Sequence, residues 1–441
     1  MTSLDGAARL LGRAGRGASL AARTVLPVDS NPVPTDWTHV TKVDPEDAKK
    51  LPLLYPLYLR HTDAVSVGGS ADVTARNTEQ TFELLAPASV PVFHEPSGPR
   101  HVTPRTRERA DLLAIPEVLN GDSESLVGQL GAGIEYVREE LVPDLLDDAL
   151  PWLPGFAADR LADLATSWLL ADAVFEAYVV QNPDSAAARE ANVAAADVLS
   201  PREAKQRAMA AERHLGSELV YLEYSGTYGG EAAAEELAAV ADGLSWSRLW
   251  YGGGLDSRER AEAMLDAGAD AVVVGDAFHR VADEEAALCE RAVGEVAPDA
   301  SASAVREWVR ENVAVADSAA AGYLATIPWV PDPERRAERY LAATVRTWLR
   351  LRDLVDLREG ADVPDRGDTG RRKAAAADGS TAGLDLRRAL GPDVFDELGS
   401  ADAALIRRYL RALVADRGAA ADAAGPADAA TDHLALSPSA R

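Results

Sequence analysis

A single cysteine, Cys289, stands in 441 residues. One thiol cannot close an internal disulfide, as expected of a protein kept in a reducing compartment. Cys289 falls in a helical stretch, where a small buried side chain is its expected role. Lysine is scarce, so arginine carries most of the positive charge. With Lys+Arg at 45 against Asp+Glu at 71 the net charge is −26, which excludes the basic surface that nucleic acid requires. No apolar run approaches the roughly 20 residues that span a bilayer. The chain start also lacks the unbroken apolar core of a signal peptide, because Arg9, Arg13, Arg16 and Arg23 are scattered among Leu10, Leu11, Leu20 and Leu26. Residues 1–34 are expected to be a disordered leader, or else a weakly amphipathic helix that touches anionic lipid. Gly12, Gly15 and Gly17 precede no strand–helix unit and are discounted as a nucleotide loop. A cytoplasmic protein, with membrane contact at most peripheral, is the expectation.

Alanine and aspartate dominate what is present. Such an acidic composition suits a cytoplasm rich in salt, where self-repulsion is screened, as in a halophilic archaeon. An acidic mesophilic protein is the alternative. From about residue 35, short β-type runs alternate with helical patterns. Strands are expected near 37–43, 63–67, 90–94, 111–115, 174–180, 218–223, 247–251 and 270–274. Alanine-, leucine- and glutamate-rich segments such as 231–243 and 257–267 separate them and suit helices. Eight βα units over about 260 residues are the count and size of a (β/α)₈ barrel, here 35–294.

Two connections are irregular. Residues 96–104 carry Pro96, Pro99 and Pro104, which leave little room for a third helix and would open a groove beside the barrel. The span from Asn120 to Ala173 is too long for one helix, so an insertion is expected near 142–170. After the barrel, 295–358 reads as a helical extension, with helices at 304–313 and 333–357. A linker follows at 359–383, a helical segment at 384–416, and a tail at 417–441 that is expected to be disordered.

Three glycine clusters close the last three strands. Tyr221-Leu222-Glu223-Tyr224-Ser225-Gly226 comes first, then Tyr251-Gly252-Gly253-Gly254, then Val274-Gly275-Asp276. Phosphate sites in this fold are commonly built by the loops after strands seven and eight, helped by a helix N-terminus. Alternation puts Tyr221, Glu223 and Ser225 on one face of strand six, opposite Leu222 and Tyr224. Glu223 could there accept a hydroxyl proton or hold a polyol; simple turns and a structural acid would produce the same sequence. At the end of strand one, Lys42 and Asp44 share a face, as either an active-site pair or a surface ion pair. Ser70, in Gly68-Gly69-Ser70, supplies a hard oxygen that could join Asp44 on Mg²⁺. Asp144, Asp147 and Asp148 have the wrong spacing for a diphosphate-chelating box and are assigned to a solvated face. His39, His94, His101 and His279 form no metal-ligand pattern.

Taken together, His39–Pro45, Val67–Thr74, Ile115–Asn120, Gln181–Ser185, Tyr221–Gly226, Tyr251–Gly254 and Val272–Phe278 resemble the geranylgeranylglyceryl/heptaprenylglyceryl phosphate synthases, in order over about residues 36–293. The resemblance implies a modified (β/α)₈ barrel without a regular third helix. It also implies an Mg²⁺-dependent prenyl transfer, in which the 3-hydroxyl of sn-glycerol 1-phosphate attacks C1 of a prenyl diphosphate. By motif position, Lys42 would contact the glycerol phosphate, and Asp44 with Ser70 would bind Mg²⁺. Tyr221, Leu222, Glu223, Tyr224, Ser225, Gly226, Gly254, Gly275 and Asp276 would hold the glycerol phosphate, with Glu223 the candidate base. The chain departs from the family at Asp276, where asparagine is usual, and at Asp72, where glycine is usual. The leader, the insertion and everything after about 294 have no counterpart in it. Small residues Gly128, Gly131, Ala132 and Gly133 would accommodate a C25–C35 tail, whereas the halophile-like composition points to a geranylgeranyl donor, which is the expectation here. A homodimer is also expected. A non-catalytic lipid-phosphate-binding scaffold and a different phosphate-handling barrel are the competing readings.

Overall fold

The structure, a computed structural model, describes residues 29–143, 155–361, 392–420, 434 and 436. Eight strands follow in chain order: β1 (His39–Val43), β2 (Ala64–Val67), β3 (Val92–His94), β4 (Ala114–Val118), β5 (Val174–Val180), β6 (Leu219–Glu223), β7 (Arg248–Gly252) and β8 (Ala271–Val274). They form one sheet of order β3-β2-β1-β8-β7-β6-β5-β4, with parallel pairing. The valine-rich runs of β2 and β8 are buried along their length, which suits parallel strands covered on both faces. Between and after them lie α1 (Tyr55–Leu59), α2 (Ala75–Leu85), α3 (Pro104–Arg109), α4 (Gln129–Tyr136), α5 (Gly155–Asp172), α6 (Ala186–Glu190), α7 (Pro201–Ala210), α8 (Gly230–Gly243), α9 (Arg258–Asp266) and α10 (Asp276–Glu295). This is the expected (β/α)₈ fold.

β4 starts three residues later than expected. Asp111 explains the shift, because its amide donates to the Val92 carbonyl at 2.8 Å and its carboxylate accepts the Val92 amide at 2.8 Å. That exchange closes the connection before the new strand begins. The connection from β3 to β4 holds one 3₁₀ turn, Pro99–His101, and the six-residue α3. Pro104 and a Thr103 capping box start α3, so a regular third helix is absent but a short one is present. The long β4–β5 connection contains α4 between two wide π-type turns, then α5. Asp144, Asp147 and Asp148 lie outside the described residues.

Past the barrel come α11 (Ala302–Asn312), α12 (Ala319–Ala325), α13 (Pro333–Ala361) and α14 (Ser400–Ala420). The expected linker lies outside the described residues apart from the last turn of α13. α14 runs beyond its expected end at 416 and past Gly418. Within the tail expected to be disordered, Leu434 makes a parallel bridge to Leu51, and both are buried. Residues 1–28 of the leader lie outside the described residues. No helix among the described residues is long and apolar enough to cross a membrane.

The chain divides into two compact units. The first contains residues up to Thr38, Leu112–Gly253 and Ala263–Val273. There Asn31 donates to the Glu218 and Trp246 carbonyls at 2.8 and 3.0 Å, fixing the end of the leader to the starts of β6 and β7. The second contains His39–Asp111, Gly254–Glu262 and Val274–Arg441. Glu285 of α10 is fully buried there and accepts from the Leu53 amide, the Tyr58 hydroxyl and the Thr344 hydroxyl at 2.9, 3.0 and 2.9 Å. One carboxyl thus ties the barrel helices α1 and α10 to α13. Burial pushes its pKa up to about 8. Tyr323 of α12 meets the Thr41 hydroxyl of β1 at 2.7 Å, and Tyr409 of α14 packs edge-on to Tyr55 of α1 at 5.1 Å. The extension is therefore integral to the core of the second unit.

Candidate active site

In the first unit, β6 ends on Glu223, which is 2% exposed. Its side chain accepts the Ser225 hydroxyl, and its carbonyl accepts the Gln181 amide at 2.8 Å. Asn182 donates to the Ser225 carbonyl at 2.6 Å, and Gly226 then turns the chain with φ +80°. That left-handed conformation is one glycine adopts without strain. Tyr221 is buried, with its ring 4.6 Å from the Tyr178 ring and its hydroxyl against Gly252. A Cβ at Gly252 would lie 1.8 Å from that hydroxyl, so glycine is what lets β7 pass the tyrosine. Leu222 is buried as well, which leaves its backbone as the part able to meet a ligand.

Tyr224 points the other way. Its hydroxyl donates to Glu236 of α8 at 3.0 Å, and Gln181 donates to the other oxygen of Glu236 at 2.6 Å. Burial raises the Glu236 pKa to about 7, against the lowering effect of its two hydrogen bonds. The Gln181 amide group also exchanges hydrogen bonds with Leu199, in both directions. Glu236 therefore fixes the ends of β5 and β6 from behind.

In the second unit, Lys42 reaches Glu95 at 2.6 Å, and the Ser66 hydroxyl donates to the other Glu95 oxygen at 2.8 Å. Gly68 lets the chain pass, since a Cβ there would lie 2.4 Å from the Glu95 carbonyl oxygen. Gly275 faces Lys42, whose Cβ would be 3.5 Å from a Cβ at 275. Asp44 donates its amide to His279 Nε2 at 3.1 Å, so that nitrogen is an acceptor. His279 Nδ1 then carries the proton and donates to the Lys50 carbonyl at 3.0 Å. His279 thus holds the end of β1 against α10, with its Nε2 3.8 Å from the Asp44 carboxylate.

Glu46 joins two strand-end loops. One of its oxygens accepts the Ser70 and Ala71 amides at 3.2 and 3.0 Å. A Cβ at Gly69 would stand 3.4 Å from the Asp44 Cβ, so Asp44 and the Ser70 loop are close. Burial and then the Asp44 charge hold the Glu46 carboxyl above its ordinary pKa. Asp276, the first residue of α10, is half exposed and paired with Lys49 at 3.0 Å; Lys49 also approaches Asp44 at 3.8 Å. Burial alone would lower the Lys49 pKa, but Asp276, Asp44 and Glu46 hold it above its usual value. The charge at Asp276, where the family resemblance leads one to expect asparagine, is thus balanced by a cation within its own unit. Gly254, with φ +53°, has its carbonyl held by Arg260 at 3.1 Å.

Among the described residues no three His, Cys, Asp or Glu side chains gather as metal ligands. Asp44 and Ser70 nevertheless fit Mg²⁺ by the chemistry of their donors. This ion takes hard oxygens and commonly binds through one or two carboxylates plus substrate oxygens. Glu46, Lys49, Glu95, Glu236 and His279 were not singled out from the sequence as site residues. Glu46 and Lys49 lie within the stretch that carries Asp44, so proximity was their signal. Glu95 directly follows β3, the strand-end position that had drawn attention to Asp44.

The PcrB family model matches residues 34–295. The geranylgeranylglyceryl phosphate synthase of Haloquadratum walsbyi is 34% identical over 254 residues, covering 56% of this chain and 88% of that protein. The enzyme of the same name from Halobacterium salinarum is 34% identical over 245 residues, covering 55% and 89%. Among solved structures, (S)-3-O-geranylgeranylglyceryl phosphate synthase from Thermoplasma acidophilum, in complex with substrate sn-glycerol-1-phosphate, matches at 24% identity with a TM-score of 0.40, covering 55% and 86%.

Proposed function

The chain belongs to the PcrB family, and from that premise we propose that it is a prenyltransferase joining a geranylgeranyl group to the 3-hydroxyl of sn-glycerol 1-phosphate, with release of diphosphate. The observation that carries this reading is the 34% identity to a geranylgeranylglyceryl phosphate synthase across 88% of that protein's length. Retention of Lys42, Asp44, Ser70 and Tyr221–Gly226 at strand ends supports it.

Lys42, aimed by Glu95, contacts the glycerol phosphate. The backbone of Tyr221–Gly226, Gly254 and Gly275 at the start of α10 hold it, since turn and helix-start amides are natural anion ligands. The substrate 3-hydroxyl oxygen forms a bond to C1 of the prenyl chain as the C1–O bond to diphosphate breaks, and its electron pair leaves with the diphosphate. Glu223, oriented by the Ser225 hydroxyl, takes the hydroxyl proton. Bound by Asp44 and Ser70, Mg²⁺ would neutralise charge on the departing diphosphate. Positioning supplies much of the rest of the acceleration.

Purified protein in high salt with Mg²⁺, geranylgeranyl diphosphate and sn-glycerol 1-phosphate is expected to yield the prenyl ether. Yield should vanish in Asp44→Ala and on chelation, return when Mg²⁺ is restored to the unaltered protein, and be far lower with sn-glycerol 3-phosphate. Offering C20, C25 and C35 donors in competition measures tail length, and C20 is the expected preference. Glycerol phosphate that binds while no donor is consumed would identify a non-catalytic scaffold instead.

A further inference from the structure

The loop that follows β7 and the start of α9 are gripped by the C-terminal extension. Arg258 donates one guanidinium nitrogen to the Pro328 carbonyl and another to the Val330 carbonyl at 2.8 Å. Both carbonyls lie in the segment joining α12 to α13, beyond the matched region. On the same loop, the Asp256 carbonyl oxygen lies 3.0 Å from where a Cβ at Gly322 of α12 would stand, an approach that only glycine permits without displacement. Arg260 carries the grip to the expected phosphate-binding residue. It donates to the Asp256 carboxylate at 2.8 Å and to the Gly254 carbonyl at 3.1 Å. All of these residues belong to the second unit.

We infer that the extension is a built-in brace for the loop 254–257 and the first turn of α9, and thereby sets the affinity for the phosphate-bearing substrate. Arg258 is the positioning residue through which it acts. Gly254 holds a left-handed turn, and its amide can face an anion only while that turn is kept. A loop secured at Asp256 and Arg258 has less freedom to lose when the phosphate arrives, and preorganisation of this kind appears as affinity. The inference rests on reading this loop as part of the glycerol phosphate site.

The test uses the full chain and two substitutions. Arg258→Ala removes both carbonyl contacts. Gly322→Ala improves helix propensity in α12 yet forces the loop or the helix to give by a few tenths of an ångström. Calorimetric titration with sn-glycerol 1-phosphate is expected to show binding weakened about tenfold in Arg258→Ala, the scale of one charge-assisted contact. A smaller loss is expected in Gly322→Ala, with its melting temperature held or raised. In turnover assays, KM for sn-glycerol 1-phosphate should rise while KM for the prenyl diphosphate and kcat stay near their original values. Unchanged binding in both folded variants overturns the brace. Failure of the unaltered protein to bind glycerol phosphate overturns the phosphate-site reading and the brace with it.

Discussion

The Lys42 ammonium meets one oxygen of Glu95 at 2.6 Å, while the other accepts from Ser66 at 2.8 Å. Glu95→Gln keeps the shape of that bridge and removes its charge. The Lys42 side chain is 19% exposed, so water compensates part of the loss. Removing one partner of a fully buried pair costs about 3–5 kcal/mol, and about 1–3 kcal/mol is expected here by urea unfolding. Because Lys42 would also lose its aim, KM for sn-glycerol 1-phosphate should rise more than kcat falls, and Glu95→Asp should recover part of both. Glu223 gives the opposite split. Its replacement by glutamine leaves a polar group beside Ser225 but no base, so kcat should fall roughly 100-fold or more while calorimetric binding of glycerol phosphate persists. Near-normal turnover with intact binding would remove Glu223 from the role of base.

Strand ends and loops respond differently to the same change. A Cβ at Gly252 would overlap the Tyr221 hydroxyl, and Tyr221 is hemmed in by Tyr178. Gly252→Ala should therefore destabilise the protein by about 1–3 kcal/mol, the usual range for overpacking, and shift the end of β6 with loss of activity. Gly131 lies inside α4 with nothing within 4 Å of an added Cβ. Gly131→Ala should stabilise by about 0.5–1 kcal/mol through helix propensity alone, and paired melting curves check both. The elements were readable in the sequence because valine-rich runs closed by glycine or proline announce strands in a parallel sheet. The start of β4 was not, since Leu112 and Leu113 continue into the apolar run of the strand while the Asp111–Val92 exchange decides where the strand begins. Candidate residues could be picked out where a motif lay in one stretch, as at Tyr221–Gly226. Partners such as Glu95 for Lys42 and Glu236 for Gln181 lie 53 and 55 residues away, and only strand register and helix packing bring them together. The brace was hidden for the same reason, because nothing local to Arg258 points to carbonyls 70 and 72 residues further on.

For the whole molecule, buried ionisable groups set the pH at which the fold is most stable. Burial lowers His39, His61 and His94 to about 3 from an ordinary 6.5, and raises Glu236 to about 7 and Glu285 to about 8 from 4.5. Below pH 6.5 the unfolded histidines take up protons that the folded ones refuse, so stability is lost as pH falls from 6.5 toward 3. The two glutamates act oppositely. Folded, each keeps a proton that its unfolded form gives up above pH 4.5, so their contribution is lost as pH rises to about 7 and 8 respectively. Each group contributes a slope of about 1.4 kcal/mol per pH unit. Among these five strongly shifted groups, three histidines outweigh two glutamates between 4.5 and 6.5, so their summed contribution rises with pH; Glu46, Glu117 and Glu284, also raised by burial, oppose that rise and His101, lowered by burial, adds to it. From 6.5 to 8 the two glutamates lose their folded-state protons, and stability falls. Urea unfolding at pH 5, 6.5 and 8 in constant salt should therefore be hardest near 6.5. Glu285→Gln should flatten the alkaline limb between pH 7 and 8, where that carboxyl acts alone. An unchanged slope there in the variant would mean that the junction of α1, α10 and α13 does not limit the fold in alkali.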